Sequence, residues 1–431
     1  IEVARLLEEK FTGENSLDKR KRIGQKIGQL GADAALISQL DSIAWLLNIR
    51  GNDVPHLPVI MGSAILYQSG EMVFCTDLRK IPDDFGDHVG PGVETLAEDT
   101  FEEFIQILGR ENQKVIIDGN NSNTYAVLRC IEQQCEIIAG TDPVLLPKAQ
   151  KNDAELEGMR QCHIRDGSAV SRYLHWIETE VAASRFHDEG FLSDRLERFR
   201  RDLPDLVDLS FATISAAGSN AAMAHYSHTN GVPAKLSANS LYLVDSGGQY
   251  LDGTTDITRT VAIGEPTAEH REMFTRVLKG HIALARAIFP RGTAGNQLDA
   301  LARQFLWEVG LDFDHGTGHG VGCFLSVHEG PQRIAKTAGP SAALLPGMVL
   351  SNEPGFYKEN SYGIRCENLM TVKEHASGML EFETITFAPF DQTLISHSLM
   401  TDTEIDWLNR YHQQVFDKLE PWLEGEALQW L

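Results

Sequence analysis

Four carboxylates and one imidazole stand out as groups that could hold two divalent cations. Asp245 and Asp256 lie eleven positions apart in LYLVDSGGQYLDGTTDITRTVAIG. His319 follows in DHGTGHGVGCFLSVHEGP, Glu353 in LSNEPGFY and Glu367 in YGIRCENLMTV. All five are hard or borderline ligands, and they arrive from separate strand-like segments. Four ionised carboxylates carry four negative charges, which two dications would neutralise; without metal the cluster repels itself in a partly buried site. Oxygen ligands with a single imidazole suit Mn2+, Co2+, Fe2+ or Zn2+, and no thiolate is needed. Two such ions, roughly 3.5–4 Å apart, would hold a bridging hydroxide at neutral pH and stabilise a tetrahedral intermediate.

Each of these residues also has a plainer reading. Asp245 ends LYLVD before the turn signal Gly247-Gly248, and Asp256 begins DITRTVAI. A hairpin of this length brings both to one rim, yet two turn aspartates alone would be commonplace. His315 and His319 are four apart, the helical spacing of a zinc peptidase. Gly316, Gly318, Gly320 and Gly322 make a helix a poor fit there, and no Glu follows the first His. The glycines fit a strand whose backbone needs close approach to a ligand. With His328, three imidazoles fall within fourteen residues. Glu353 precedes Pro354-Gly355, which turns a strand end. Glu367 lies inside the strand-like GIRCENLMTV, where a buried carboxylate needs a cation or metal. Arg365 shares its face by alternation but cannot easily pair with it.

The elements that must position these groups fall into two patterns. Over residues 1–148, apolar runs ADAALIS, SAILYQ, EMVFCTD and KVIIDG read as strands. They alternate with helical stretches, among them SLDKRKRIGQKIGQLG, ending at Gly31 as C-cap, and TFEEFIQILGR. That alternation predicts an α/β domain. Thr141-Asp142-Pro143 to Pro147 marks its end. Residues 149–390 read as an α+β catalytic domain. A long amphipathic helix opens it near Asn152 or Asp153, FLSDRLERFRRDL follows, and two helices interrupt a Gly-rich strand region after Phe211. Residues 391–431 form a helical tail with a Thr401/Glu404 capping box and an apolar stripe of Ile405, Leu408, Val415 and Leu419, stopped by Pro421. The stripe is expected to pack on the catalytic domain.

The 431 residues have ordinary globular composition, 42% hydrophobic and 23% charged. A net charge of −23 argues against nucleic acid and anionic membrane as partners. No apolar run approaches the roughly 20 residues needed to span a bilayer. The start, IEVARLLEEKF, reads as an amphipathic segment rather than a signal peptide; lacking an initiator Met, it suggests a processed or partial chain. Cys75, Cys130, Cys135, Cys162, Cys323 and Cys366 are scattered without CxxC spacing and read as reduced, small buried residues of a cytoplasmic protein.

The ordered set Asp, Asp, His, Glu, Glu, within VDSGGQYLDGTTDITRT, HGTGHGVGCFLSVHEGP, SNEPGFY and YGIRCEN, resembles the pita-bread metallopeptidases. Methionine aminopeptidase, prolidase and aminopeptidase P belong to that group. The chain is most similar to the longer, cytosolic-type X-Pro aminopeptidases. SIAWLLNIRGNDVPHLPV resembles their middle domain, of the creatinase/prolidase N-terminal type, and LNRYHQQV their tail. Those enzymes carry a further domain before the stretch that begins here.

The resemblance implies two divalent metal ions, Mn2+ foremost, with Zn2+, Co2+ or Fe2+ as alternatives. Asp245 would hold one, His319 and Glu353 the other, and Asp256 and Glu367 would bridge. Glu353 would also be general base for a hydroxide activated by both metals. His225, in AAMAHYSH, and His328 would line the substrate and assist proton transfer. His315 would line a proline pocket, and Arg365 would orient the shell and contact substrate. The implied activity is removal of the N-terminal residue from peptides with proline second, by a homodimer. Prolidase, which cleaves X-Pro dipeptides, is the nearest alternative, with Arg333 and Arg365 as candidate carboxylate binders. A non-catalytic binding protein on the same fold would lose ligands, a creatine-type hydrolase would need no metal, and methionine aminopeptidases lack the first unit.

Overall fold

The computed structural model describes residues 2–337 and 341–431. Its contacts divide it into two compact units, 1–155 and 156–431, against the boundary expected at 148.

In the first unit, six strands form one mixed sheet. They are β1 (Ala34–Ile37), β2 (Gly62–Tyr67), β3 (Met72–Thr76), β4 (Val93–Leu96), β5 (Lys114–Ile117) and β6 (Glu136–Ala139), in the order β4-β3-β2-β1-β5-β6. Every residue of β1 is buried, which explains its unbroken apolar run: helices cover both faces of a central strand. Helix α1 (Ser16–Gln29) starts where the Asn15 side chain accepts from Asp18 N, and gives way to Gly31 at φ +77°, as its sequence predicts. The opening segment departs from the expected amphipathic stretch. Arg5–Leu6 pairs as a short strand with Ile49–Arg50, and only Glu9–Thr12 is helical; Ile1 lies outside the described residues.

The second unit carries all but the first three residues of α2 (Asp153–Ala182), then α3 (Glu189–Arg201), before its strands. The strands are β7 (Leu206–Leu209), β8 (Ile214–Ala217), β9 (Ser240–Ser246), β10 (Gly248–Tyr250), β11 (Gly253–Thr254) and β12 (Ile257–Ile263). Two three-stranded sheets result, β8-β9-β12 and β11-β10-β7. Helix α4 (Ala268–Ala285), capped by a Thr267/His270 box, and α5 (Asp299–Trp307) follow. A six-stranded sheet then gathers Ile288–Phe289, β13 (Gly318–Gly320), β14 (Glu329–Ile334), β15 (Val349–Asn352), β16 (Asn368–Glu374) and Leu380–Thr384, with β14-β13-β15-β16 adjacent. A separate ribbon pairs Gly355–Lys358 with Tyr362–Arg365.

The tail closes this unit. Helix α6 (Asp402–Leu419) begins with the expected Thr401/Glu404 capping box. Leu408, Val415 and Leu419 are buried against Phe274, Val277 and Leu278 of α4, each contributing roughly 1.5–3 kcal/mol by leaving water. Helix α6 stops just before Pro421, as expected, and a further short helix that the sequence did not suggest covers Gly425–Trp430.

Candidate metal centre

Asp245 and Asp256 reach one rim by a longer route than a hairpin. Strands β9 and β12 pair antiparallel with Asp245 opposite Thr258. Between them the chain leaves to form β10 and β11 in another sheet. Gly247 permits that crossing, since a Cβ there would lie 1.9 Å from the Thr255 carbonyl oxygen. His319 is the middle residue of β13. The glycine before it makes room for a neighbouring strand, since a Cβ on Gly318 would meet Ser351 O at 2.1 Å. Glu353 directly follows β15. Glu367 sits in a two-residue break between Arg365 and β16, not within a strand, because the segment changes pairing partner there.

The structure brings all five predicted residues together. His319 Nε2 lies 3.4 Å from Asp256 Oδ2 and 3.4 Å from Glu353 Oε1. Ligand atoms of Asp256, His319 and Glu367 all fall within 4.8 Å of one another. Desolvation, followed by the Asp245 and Glu353 charges, raises the Asp256 carboxyl well above its usual range. Glu367 is raised well above its range too, by burial and then by Asp256 and Asp245. Glu353 is raised by burial, against an opposing pull from His319.

Surrounding groups orient the donors. His319 Nδ1 lies 2.9 Å from Gly320 O, so with the proton there Nε2 presents its lone pair to the acidic groups. The Ser351 hydroxyl donates to Glu353 Oε1 at 3.0 Å, and Thr258 Oγ1 donates to Glu367 Oε2 at 2.7 Å. Arg365 donates to Asp245 Oδ2 at 2.7 Å, to Thr258 Oγ1 at 3.0 Å and to the Tyr357 hydroxyl at 2.7 Å. It pairs with Asp245 rather than with its sequence neighbour Glu367. Asp245 Oδ1 is buried without a hydrogen-bond partner among the described residues. One guanidinium and one imidazole leave four clustered carboxylates short of positive charge, and an orphaned oxygen lacks a donor. This donor set fits hard divalent cations.

Above the cluster opens a cavity of about 530 Å³, lined by His225, His315, His328, Arg333 and Arg365 with the five acidic-site residues. His225 and His328 are exposed at its wall. His328 meets the His319 ring edge-on, 4.3 Å between centroids. His315 Nδ1 lies 2.8 Å from Gly316 O, and its Nε2 lies 2.8 Å from the Tyr357 hydroxyl. Burial, then Arg365, lowers the His315 imidazole to about 4, so it is neutral at pH 7. Arg365 lines the cavity with its donors committed to Asp245, Thr258, Tyr357 and the Ala224 carbonyl.

Comparison with known proteins shows the family. Residues 157–374 match metallopeptidase family M24, residues 2–155 the creatinase/prolidase N-terminal domain, and residues 378–431 the C-terminal region of peptidase M24. The chain belongs to metallopeptidase family M24. Among M24 relatives, aminopeptidase P2 of Arabidopsis thaliana is 40% identical, over 98% of this chain and 64% of that protein. A probable Xaa-Pro aminopeptidase P of Tuber melanosporum is 41% identical, over 99% of this chain and 72% of its own length. The X-prolyl aminopeptidase of Caenorhabditis elegans, described as a cytosolic enzyme with a di-nuclear active site, superposes with a TM-score of 0.94 at 36% identity. That match covers all of this chain and 72% of the other. The chain therefore spans roughly two thirds of the length of these M24 relatives.

Sequence reading missed Thr258, Ser351 and Tyr357. Thr258 and Ser351 sit in ordinary strand patterns and act on partners far along the chain or across a turn. Tyr357, in EPGFY, offered only its place four residues beyond Glu353 as a signal.

Proposed function

We propose that this chain carries the active site of an X-Pro aminopeptidase, which removes the N-terminal residue from peptides with proline second. The observation that carries the reading is the convergence of Asp245, Asp256, His319, Glu353 and Glu367 beneath a cavity lined by His225, His315 and His328. The names of relatives at about 40% identity support it.

Asp245, Asp256, His319, Glu353 and Glu367 would hold two divalent cations, Mn2+ foremost with Zn2+, Co2+ or Fe2+ as alternatives, which supply a water nucleophile at neutral pH and polarise the scissile carbonyl. Glu353 takes the proton from the attacking water. Burial raises its proton affinity, and the Ser351 hydroxyl fixes one of its oxygens. It then returns that proton to the proline nitrogen as it leaves. His225 and His328 face the substrate carbonyl and stabilise the charge that develops on its oxygen. His315, held neutral between Gly316 O and Tyr357, offers a ring face to the pyrrolidine. Arg365 orients Asp245 and, through Thr258, Glu367. An X-Pro bond lacks an N–H, so selectivity rests on ring shape. The domain bounds 1–148, 149–390 and 391–431, a homodimeric state and a cytoplasmic location belong to the same proposal. Six free buried cysteines and a relative described as cytosolic support the location.

The test is hydrolysis of Arg-Pro-Pro by chelated chain with Mn2+ restored. Release of free arginine is expected. Cleavage of X-Pro dipeptides alone would instead mark a prolidase, and a chain that neither binds metal nor cleaves either peptide would mark a binding protein.

A further inference from the structure

Helix α4 places the His281 imidazole on its buried face, directly behind the acidic cluster. His281 continues the apolar row of Phe274, Val277 and Leu278 and is fully buried. Its Nδ1 lies 3.0 Å from the Asn352 carbonyl oxygen and 3.2 Å from the Cys366 carbonyl oxygen. Those carbonyls belong to the residues immediately before Glu353 and Glu367.

Two acceptors around one nitrogen require that it carry the proton. Nε2 is then the acceptor, and Asn368 Nδ2 lies 3.3 Å from it. The Asn368 amide is independently oriented that way, because its Oδ1 accepts from Arg259 at 2.8 Å. Asn352 Nδ2 donates back to the His281 carbonyl at 2.9 Å, closing a reciprocal pair. Burial, then the Arg259 charge, holds the imidazole neutral, with its pKa lowered to about 3.

The position matters because the β15–β16 ladder ends there. Asn352 opposite Asn368 is its last pair, and beyond it the segments bearing Glu353 and Glu367 cross a short gap before Cys366 N donates to the Pro354 carbonyl oxygen at 3.1 Å and Gly355 pairs with Arg365. We infer that His281 is a positioning residue whose Nδ1–H clamps those two segments together and so sets the separation of the Glu353 and Glu367 carboxylates. The inference rests on the proposed reading of these glutamates as ligands. Groups that orient metal ligands typically change affinity 10–100-fold when lost.

Titrating the chelated chain with Co2+, followed by visible absorption and calorimetry, tests the clamp. His281→Phe keeps the ring and removes the donor. It is expected to weaken Co2+ binding by about 10–100-fold, and to lower kcat while leaving KM within about twofold at saturating metal. His281→Asn retains a donor at the δ position and should recover most of the affinity. Wild-type affinity in folded His281→Phe overturns the inference. If that variant does not fold, His281→Asn against His281→Gln decides, since glutamine moves the donor one bond outward. Asparagine is expected to bind Co2+ more tightly, and equal binding overturns the clamp. A wild-type chain that takes up no Co2+ would instead remove the metal reading beneath it.

Discussion

Glu353→Gln is expected to lower kcat on Arg-Pro-Pro by at least about 10³-fold, because it removes a ligand and the proton acceptor together. The Ser351 hydroxyl can still donate to the amide oxygen, so the local shape survives. The melting temperature of the metal-free variant should hold or rise. The substitution deletes one ionisable carboxyl from a buried group in which Asp256 and Glu367 are already pushed upward by their neighbours. Peptide hydrolysis and thermal melts, run on the same preparation, check both halves. Wild-type-like turnover would remove Glu353 from the chemistry, and a sharp fall in melting temperature would make its role structural.

The second large effect is on stability. Asp256 and Glu367 titrate above their ordinary values of 3.8 and 4.5 in the fold. A carboxyl raised on folding binds more protons in the native state than in the unfolded one. The metal-free fold therefore loses stability as pH climbs from about 4 through the raised values. Bound cations replace those protons, so the loss is relieved only in the loaded form. Saturating Mn2+ should raise the melting temperature by on the order of 10 °C at pH 8, and by clearly less at pH 6. A shift that shrinks as pH rises would contradict the assignment of these carboxylates.

The five acidic-site residues were legible because their types are conspicuous in their settings: aspartates on either side of a Gly-Gly signal, a histidine among glycines, one glutamate before Pro-Gly and another inside an apolar strand-like run. The tail's capping box was equally local, Thr401 and Glu404 being one turn apart. What stayed hidden depends on pairing. The break at Glu367 could not be seen, since the residues on either side both read as strand and differ only in their partners, Gly355–Lys358 before it and β15 after it. The excursion through β10 and β11 was hidden for the same reason, and so was the room that Gly318 makes for the Ser351 carbonyl. Thr258 orients Glu367 across 109 positions of sequence. His281 was not singled out, although its place on the apolar face of a helix was a signal that a buried imidazole must find partners.

Diffraction at the manganese edge from crystals grown with Mn2+ tests the two-metal account most directly. Two anomalous peaks are predicted, one beside Asp245, one beside His319 and Glu353, with Asp256 and Glu367 contacting both. A cluster that keeps its shape with no anomalous scatterer among those five side chains would contradict it.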